Sequence, residues 1–269
     1  MRKPSIRILV MTVLTFIAVM ELESATGNAI TLRTKSGESI EAIYGYPETE
    51  GRYPAVIYNH GTFVRKLGYP EASSRGYDVR DFVKALNKAG FVGIAPIRRE
   101  GRLISVTRGK ADIMGGPTSE WNNAVLEGLE AINAVLTYLK EQSNVDSNRI
   151  GIIGFSEGGN ITLWSSLEHK DFKAIVLMSP ANLEKSDEYN FSKVLPKLDN
   201  ITAPIFLTVG EADMPIIIKN CTQDFIPLMK KLNKEIEYKV DYPGRHDWFY
   251  KVRAEYWNDI IRFINKRLK

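Results

Sequence analysis

The chain has 269 residues, 44% of them hydrophobic, which suits one α/β domain with modest decorations better than two independent domains. Its 36 basic and 32 acidic residues leave a formal charge of +4, with no dense basic tract and no DNA- or RNA-binding motif, so nucleic acid is not an expected partner. The lone cysteine, Cys221, excludes an internal disulfide and a thiolate metal cluster. The scattered histidines, His60, His169 and His246, form no HExxH pair, so no metal or other cofactor is expected.

The N-terminus departs from the rest. Arg2, Lys3 and Arg7 precede residues 8–20, which are apolar except for Thr12 and Thr15. At ~1.5 Å per residue such a helix spans about 20 Å, short of the roughly 30 Å hydrocarbon core of a bilayer. This pattern predicts a signal peptide, and Ala25-Thr26-Gly27 and Gly27-Asn28-Ala29 both offer small residues for cleavage. Residues 1–27 are therefore read as a signal peptide, with an uncleaved anchor as the alternative, and residues 28–269 as a single domain. The expected location is periplasmic or extracellular, with any membrane association made through the N-terminal segment alone.

Beyond residue 27, strands are predicted at 29–34 and 39–46, joined through Lys35-Ser36-Gly37-Glu38 as a hairpin. A short apolar strand at 54–59 ends in His60-Gly61. Residues 78–89 form a helix with Phe82, Val83 and Leu86 on one face and Gly90 closing it, and 91–95 is a strand stopped by Pro96. A long helix over 119–142 presents Val125, Leu129, Ile132, Leu136 and Leu139 on one face. Strands at 149–155, 174–178, 204–209 and 235–242 then alternate with helices at 157–167, 219–233 and 248–268. Such alternation predicts a mostly parallel sheet with helices on both faces, extended by the N-terminal antiparallel hairpin. The stretches 97–117 and 179–203 lack a pattern, follow strands, and should lie over the carboxyl edge of the sheet, where open α/β sheets place ligands.

Chemistry concentrates at Gly154-Phe155-Ser156-Glu157-Gly158, a G-x-S-x-G match between an apolar strand and a helix. A serine on so tight a turn needs glycine neighbours, because side chains there would collide, and the strained turn lifts its hydroxyl above the sheet. A glycine-rich turn after a strand is also compatible with a purely structural role, so the reading depends on partners. A serine hydroxyl needs a base, and in this arrangement acid and histidine follow the serine in that order. His246, in the turn after the last strand, meets that requirement. His169, at the end of the helix after the serine, should face away. Asp213 follows the strand at 204–209 and is the favoured acid, with Glu211 as its competitor. The loop Asn59-His60-Gly61-Thr62-Phe63 should supply one backbone oxyanion donor, from Thr62 or Phe63, and Glu157 the other. His60 is then a structural histidine bracing the loop.

The segments Asn59-His60-Gly61, Arg149-Ile150-Gly151-Ile152-Ile153-Gly154-Phe155-Ser156-Glu157-Gly158-Gly159, Gly210-Glu211-Ala212-Asp213 and Gly244-Arg245-His246-Asp247 resemble the α/β-hydrolase superfamily, and within it the dienelactone hydrolase and prolyl oligopeptidase-type branch. The resemblance runs from about residue 30 to the C-terminus. Dienelactone hydrolases carry cysteine where this chain has Ser156, and full-length prolyl oligopeptidases carry a propeller domain for which this chain has no counterpart. The resemblance implies a small exported serine esterase acting through an acyl-enzyme, or a small peptidase, on a small-molecule ester or short peptide. A hydrolase-fold binding protein without turnover is the third reading, disfavoured by the intact Ser156, Asp213 and His246. Arg98, Arg99, Arg102, Arg108 and Lys110 give the stretch 97–117 a basic character that fits an anionic substrate and a solvated loop equally well.

Overall fold

The computed structural model describes residues 27–98 and 117–269. Residues 1–26 of the expected leader and 99–116 of the basic stretch lie outside the described residues. The strands are β1 (Asn28–Arg33), β2 (Ser39–Gly45), β3 (Tyr53–Asn59), β4 (Val92–Ile97), β5 (Val145–Phe155), β6 (Phe172–Met178), β7 (Ile205–Gly210) and β8 (Ile236–Tyr242). They form one sheet in the order β1-β2-β4-β3-β5-β6-β7-β8. The pairs β1–β2 and β2–β4 are antiparallel, and every other pair is parallel.

From β3 the chain crosses first to β4 on one side and then back to β5 on the other, so the loops leaving β3 and β5 diverge. That divergence opens a crevice at the carboxyl ends of the two strands, the place where doubly wound sheets bind ligands. The central strands read as unbroken apolar runs because both faces are covered: Val56, Ile57, Ile152, Ile153, Ile175 and Val176 are all fully or almost fully buried.

The helices are α1 (Thr62–Leu67), α2 (Tyr69–Ser74), α3 (Val79–Lys88), α4 (Thr118–Glu141), α5 (Glu157–Glu168), α6 (Phe191–Val194), α7 (Pro215–Lys219), α8 (Ile226–Lys231) and α9 (Ala254–Leu268). On one face α3 and α9 pack together, Phe82 edge-on to Trp257 and Phe263 stacked on Phe206. On the other face lie α4, α5 and the segment from α7 to α8. Asp78 caps α3 by accepting from the Arg80 N–H at 2.9 Å, which fixes where that helix begins.

Several details differ from the sequence reading; β4 continues through Pro96 to Ile97, and β5 starts at Val145 rather than at 149. The last helix begins at Ala254 rather than Trp248, because His246–Tyr250 forms a 3-10 turn that buries Phe249 and Tyr250. The helix expected at 219–233 is α7, a π-helical segment at Asn220–Phe225 and α8. Pro227 lacks the N–H that a continuous α-helix needs there, and the wider turn lies just before it. The short helices α1 and α2 were not foreseen; Gly68, at φ 78°, separates them.

Candidate active site

Ser156 sits between β5 and α5 with φ 55° and ψ −120°, a conformation rare for a residue with a side chain. Its N–H donates to the Met178 carbonyl at 3.0 Å, and its carbonyl accepts from the Ala181 and Asn160 N–H groups at 2.8 and 3.1 Å. Neighbouring backbones leave no room for side chains on either flank. A Cβ on Gly154 would lie 2.3 Å from the Gly158 carbonyl oxygen, and one on Gly158 would lie 2.2 Å from that of Asn59. Gly154 thus lets α5 fold closely against β5 and Gly158 lets it approach the end of β3, which sets the serine over the crevice.

His246 opens the 3-10 turn after β8 and reaches the serine: its Nε2 lies 2.8 Å from Ser156 Oγ. Its Nδ1 lies 2.9 and 3.2 Å from the two carboxylate oxygens of Asp213. With Nδ1–H donated to the carboxylate, Nε2 is left to accept from the serine hydroxyl. The Asp213 carboxylate is fully buried and also accepts from the Met214 N–H at 2.6 Å. Phe155 packs against the imidazole at 5.1 Å between ring centres. Asp213, and not the exposed Glu211, is therefore the acid brought to His246. His169 lies at the far end of α5, 3.9 Å from Asp171. An open cleft of about 540 Å³, lined by Glu211, Arg245, Trp248 and Lys251 among others, adjoins the His246 loop and includes neither Ser156 nor His246.

The three expected backbone donors all start helices. Thr62 and Phe63 are the first two residues of α1, and Glu157 is the first of α5, positions whose N–H groups have no acceptor within their own helix. The Phe63 N–H donates to the Tyr250 hydroxyl at 3.2 Å, with the two rings stacked. That engagement separates Phe63 from the other two candidates. His60 braces the loop as expected: it is buried, Nδ1 donates to the Gly61 carbonyl at 3.0 Å, and Nε2 accepts from the Arg98 N–H at 3.0 Å. Burial first, and then the Arg98 charge, push its pKa well below the usual histidine value.

Sequence reasoning treated Glu157 only as a backbone donor and missed what its side chain does. The carboxylate is fully buried and accepts from Arg65 Nε at 2.9 Å and Arg65 Nη2 at 2.8 Å, and from Arg98 Nη1 at 2.5 Å. Burial alone would raise this carboxyl, but the two guanidiniums overturn that effect and hold it far below the usual carboxylate range. Arg98 also donates to the His60 carbonyl. Arg65 lies over the Trp121 ring at 5.5 Å. Two signals were available in the sequence: a carboxylate inside an elbow otherwise made of small and apolar residues, and an arginine at the carboxyl end of a buried strand.

The sheet order, the strained serine turn and the placement of the loops define an α/β-hydrolase fold. The chain belongs to the dienelactone hydrolase family, a family of hydrolases whose sequence model matches residues 40–260. A Bradyrhizobium sp. protein described as a probable 2-oxo-3-(5-oxofuran-2-ylidene)propanoate lactonase is 23% identical over 246 residues, covering 87% of this chain and 92% of the relative. A Synechocystis sp. protein provisionally assigned as a carboxymethylenebutenolidase is 25% identical over 255 residues, covering 89% and 97%. Among solved structures, a provisionally assigned dienelactone hydrolase from Klebsiella pneumoniae subsp. pneumoniae superposes with a TM-score of 0.66 at 18% identity, over 89% of this chain and 98% of that one. The Pyrococcus horikoshii acylaminoacyl peptidase superposes with a TM-score of 0.64 at 17% identity, over 90% of this chain but only 42% of its own.

Proposed function

We propose that the protein is a serine hydrolase that cleaves carboxylic esters, cyclic esters included, through an acyl-enzyme. The observation that carries this reading is the continuous hydrogen-bonded chain from Ser156 Oγ through His246 to the buried Asp213 carboxylate, set on a strained elbow. His246 Nε2 takes the hydroxyl proton as Oγ attacks the ester carbonyl, and Asp213 holds the imidazole in the required tautomer and stabilises the imidazolium. Negative charge then gathers on the carbonyl oxygen, where the Glu157 and Thr62 N–H groups stabilise it, the Phe63 N–H being engaged by the Tyr250 hydroxyl. His246 returns the proton to the departing alkoxide. In a lactone that alcohol stays tethered to the acyl group, so water attack on the acyl-enzyme releases a hydroxy acid. The lactonase and butenolidase names of the two relatives favour including cyclic esters.

The test is labelling with a fluorophosphonate probe, coupled to hydrolysis of a panel of linear esters, lactones and aminoacyl or prolyl amides. Labelling should occur on Ser156 alone, and Ser156→Ala should abolish it and lower kcat roughly ten-thousand-fold or more. Hydrolysis of the esters and lactones should exceed that of the amides. An unlabelled wild-type protein, or turnover that survives Ser156→Ala, would sink the serine mechanism. Faster cleavage of the amides would make the protein a peptidase.

A further inference from the structure

We infer that Glu157, Arg65 and Arg98 form a positioning clamp that sets the separation of the backbone donors facing the substrate carbonyl, and thereby governs turnover without touching the substrate. The inference rests on the serine-hydrolase reading above.

The placement of the three residues is the first argument. Glu157 immediately follows Ser156 and carries one expected donor on its own N–H. Arg65 lies on α1, three residues after Thr62 and two after Phe63, the residues expected to carry the other donor. Arg98 directly follows β4 and grips the loop twice more, its backbone N–H on His60 Nε2 and its guanidinium on the His60 carbonyl. The end of β3, the end of β4 and the elbow therefore meet on one carboxylate. Arg65 engages both carboxylate oxygens as a planar fork, which fixes direction as well as distance.

Stability is a poor explanation for burying these charges. All three side chains are 2% exposed or less, and apolar residues of similar volume commonly stabilise a core as well as or better than a buried ion cluster. What apolar packing does not provide is a stiff directional link between two helix starts from different parts of the chain. The sign of the charge argues the same way. A carboxylate one residue from the elbow serine opposes the negative charge that develops on the substrate, so Glu157 is not there for its field. If the trio acted only through its field, neutralising Glu157 would raise turnover. If it acts by positioning, the same change lowers it.

The discriminating variants are Glu157→Gln, which removes the opposing charge, Arg65→Lys, which keeps the positive charge and loses the fork, and Arg98→Lys, which keeps the charge and loses the simultaneous hold on Glu157 and the His60 carbonyl. In each, kcat on a p-nitrophenyl ester should fall about 10- to 100-fold while KM stays within about threefold, as expected when donors shift by a fraction of an ångström. Affinity for a boronic acid transition-state analogue should fall by the same factor as kcat/KM. Unchanged or raised kcat in Glu157→Gln overturns the clamp, as does unchanged kcat in both lysine variants with only the melting temperature lowered. Should Glu157→Gln fail to fold, the lysine variants decide; failure of all three to fold would assign the trio to the fold alone and overturn the inference. A wild-type protein that neither labels nor turns over would instead mark the failure of the serine-hydrolase reading.

Discussion

His60 shows how one buried residue ties the site to the pH range over which the protein holds together. Its two ring nitrogens are committed, one donating to Gly61 and the other accepting from Arg98, so the neutral form is the one the folded state accommodates. In the unfolded chain the same imidazole takes a proton below about pH 6.5. Burial and the Arg98 charge deny it that proton in the folded state, so stability is lost as pH falls below 6.5, by up to about 1.4 kcal/mol per pH unit. The carboxylates held low do not share this window. Glu157, buried but gripped by arginine, and Asp78, partly buried but bonded by Tyr69, the Arg80 amide and Ser73, lose their contribution only below the usual carboxylate range. His169 is half-buried and lowered chiefly by that burial, so it adds a smaller slope and serves as the comparison. Urea unfolding between pH 5 and 7 should therefore show wild-type stability falling toward acid, with a clearly flatter slope in His60→Gln and little flattening in His169→Gln. Equal slopes in wild type and His60→Gln would remove His60 as the titrating group. Among single residues, Ser156, Asp213 and His246 were legible because a local motif and a fixed chain order point to them. Arg65 and Tyr250 were not, because their bonds to the site span 92 and 187 residues of sequence, and Arg98 was visible at a strand end while its bond to Glu157, 59 residues away, was not.

At the scale of elements, the close approach of α5 to β3 is the constraint that decides the elbow. The Cβ of an alanine at 158 would meet the Asn59 and His60 carbonyl oxygens at 2.2 and 2.5 Å, atoms of the backbone that supplies the expected oxyanion loop. Relief requires α5 to move away from β3, so Gly158→Ala should cost about 3 kcal/mol and abolish turnover together. Gly37, in the β1–β2 turn, has φ 88° and nothing within 4 Å of a built Cβ. There only backbone strain is at stake, and Gly37→Ala should cost about 1 kcal/mol with turnover unchanged. Denaturant unfolding and steady-state kinetics on the two variants check the contrast; a Gly158→Ala enzyme that stays active would mean the elbow tolerates a gap it should not. The central strands β3, β4, β6 and β7 and the second half of β5 were legible because burial on both faces makes each a nearly continuous apolar run between turn residues. The short helices α1 and α2 were not, since six residues are too few to display a period. Nor was the late start of α9, which is set by a cluster in which Tyr250 packs on Phe155, Phe63 and Tyr77, rings distant in sequence.

At the scale of the whole molecule, the first described residues enter the sheet at its outer edge, away from the site. Strand β1 runs antiparallel to β2 and β2 antiparallel to β4, so β1 runs in the direction of the parallel strands and begins level with Ile94 of β4, on the sheet's outer edge. The chain ahead of Asn28 therefore joins the sheet at the edge strand toward the amino ends of the parallel strands, whereas Ser156, Asp213 and His246 lie at their carboxyl ends. Gly27 is already held to the body of the protein, its carbonyl accepting from Arg80 Nε at 3.2 Å. No helix among the described residues is long and apolar enough to cross a membrane. We propose that residues 1–26 direct export and that the domain begins at Gly27. Mass spectrometry of the protein produced with this segment in a bacterial host should find it outside the cytoplasm, beginning near residue 28. A chain started at Gly27 should match its melting temperature and its kcat/KM. An intact N-terminus in the membrane fraction would favour an anchor. A shortened chain that fails to fold, or folds with reduced turnover, would show that the first 26 residues belong to the domain and would overturn the proposal.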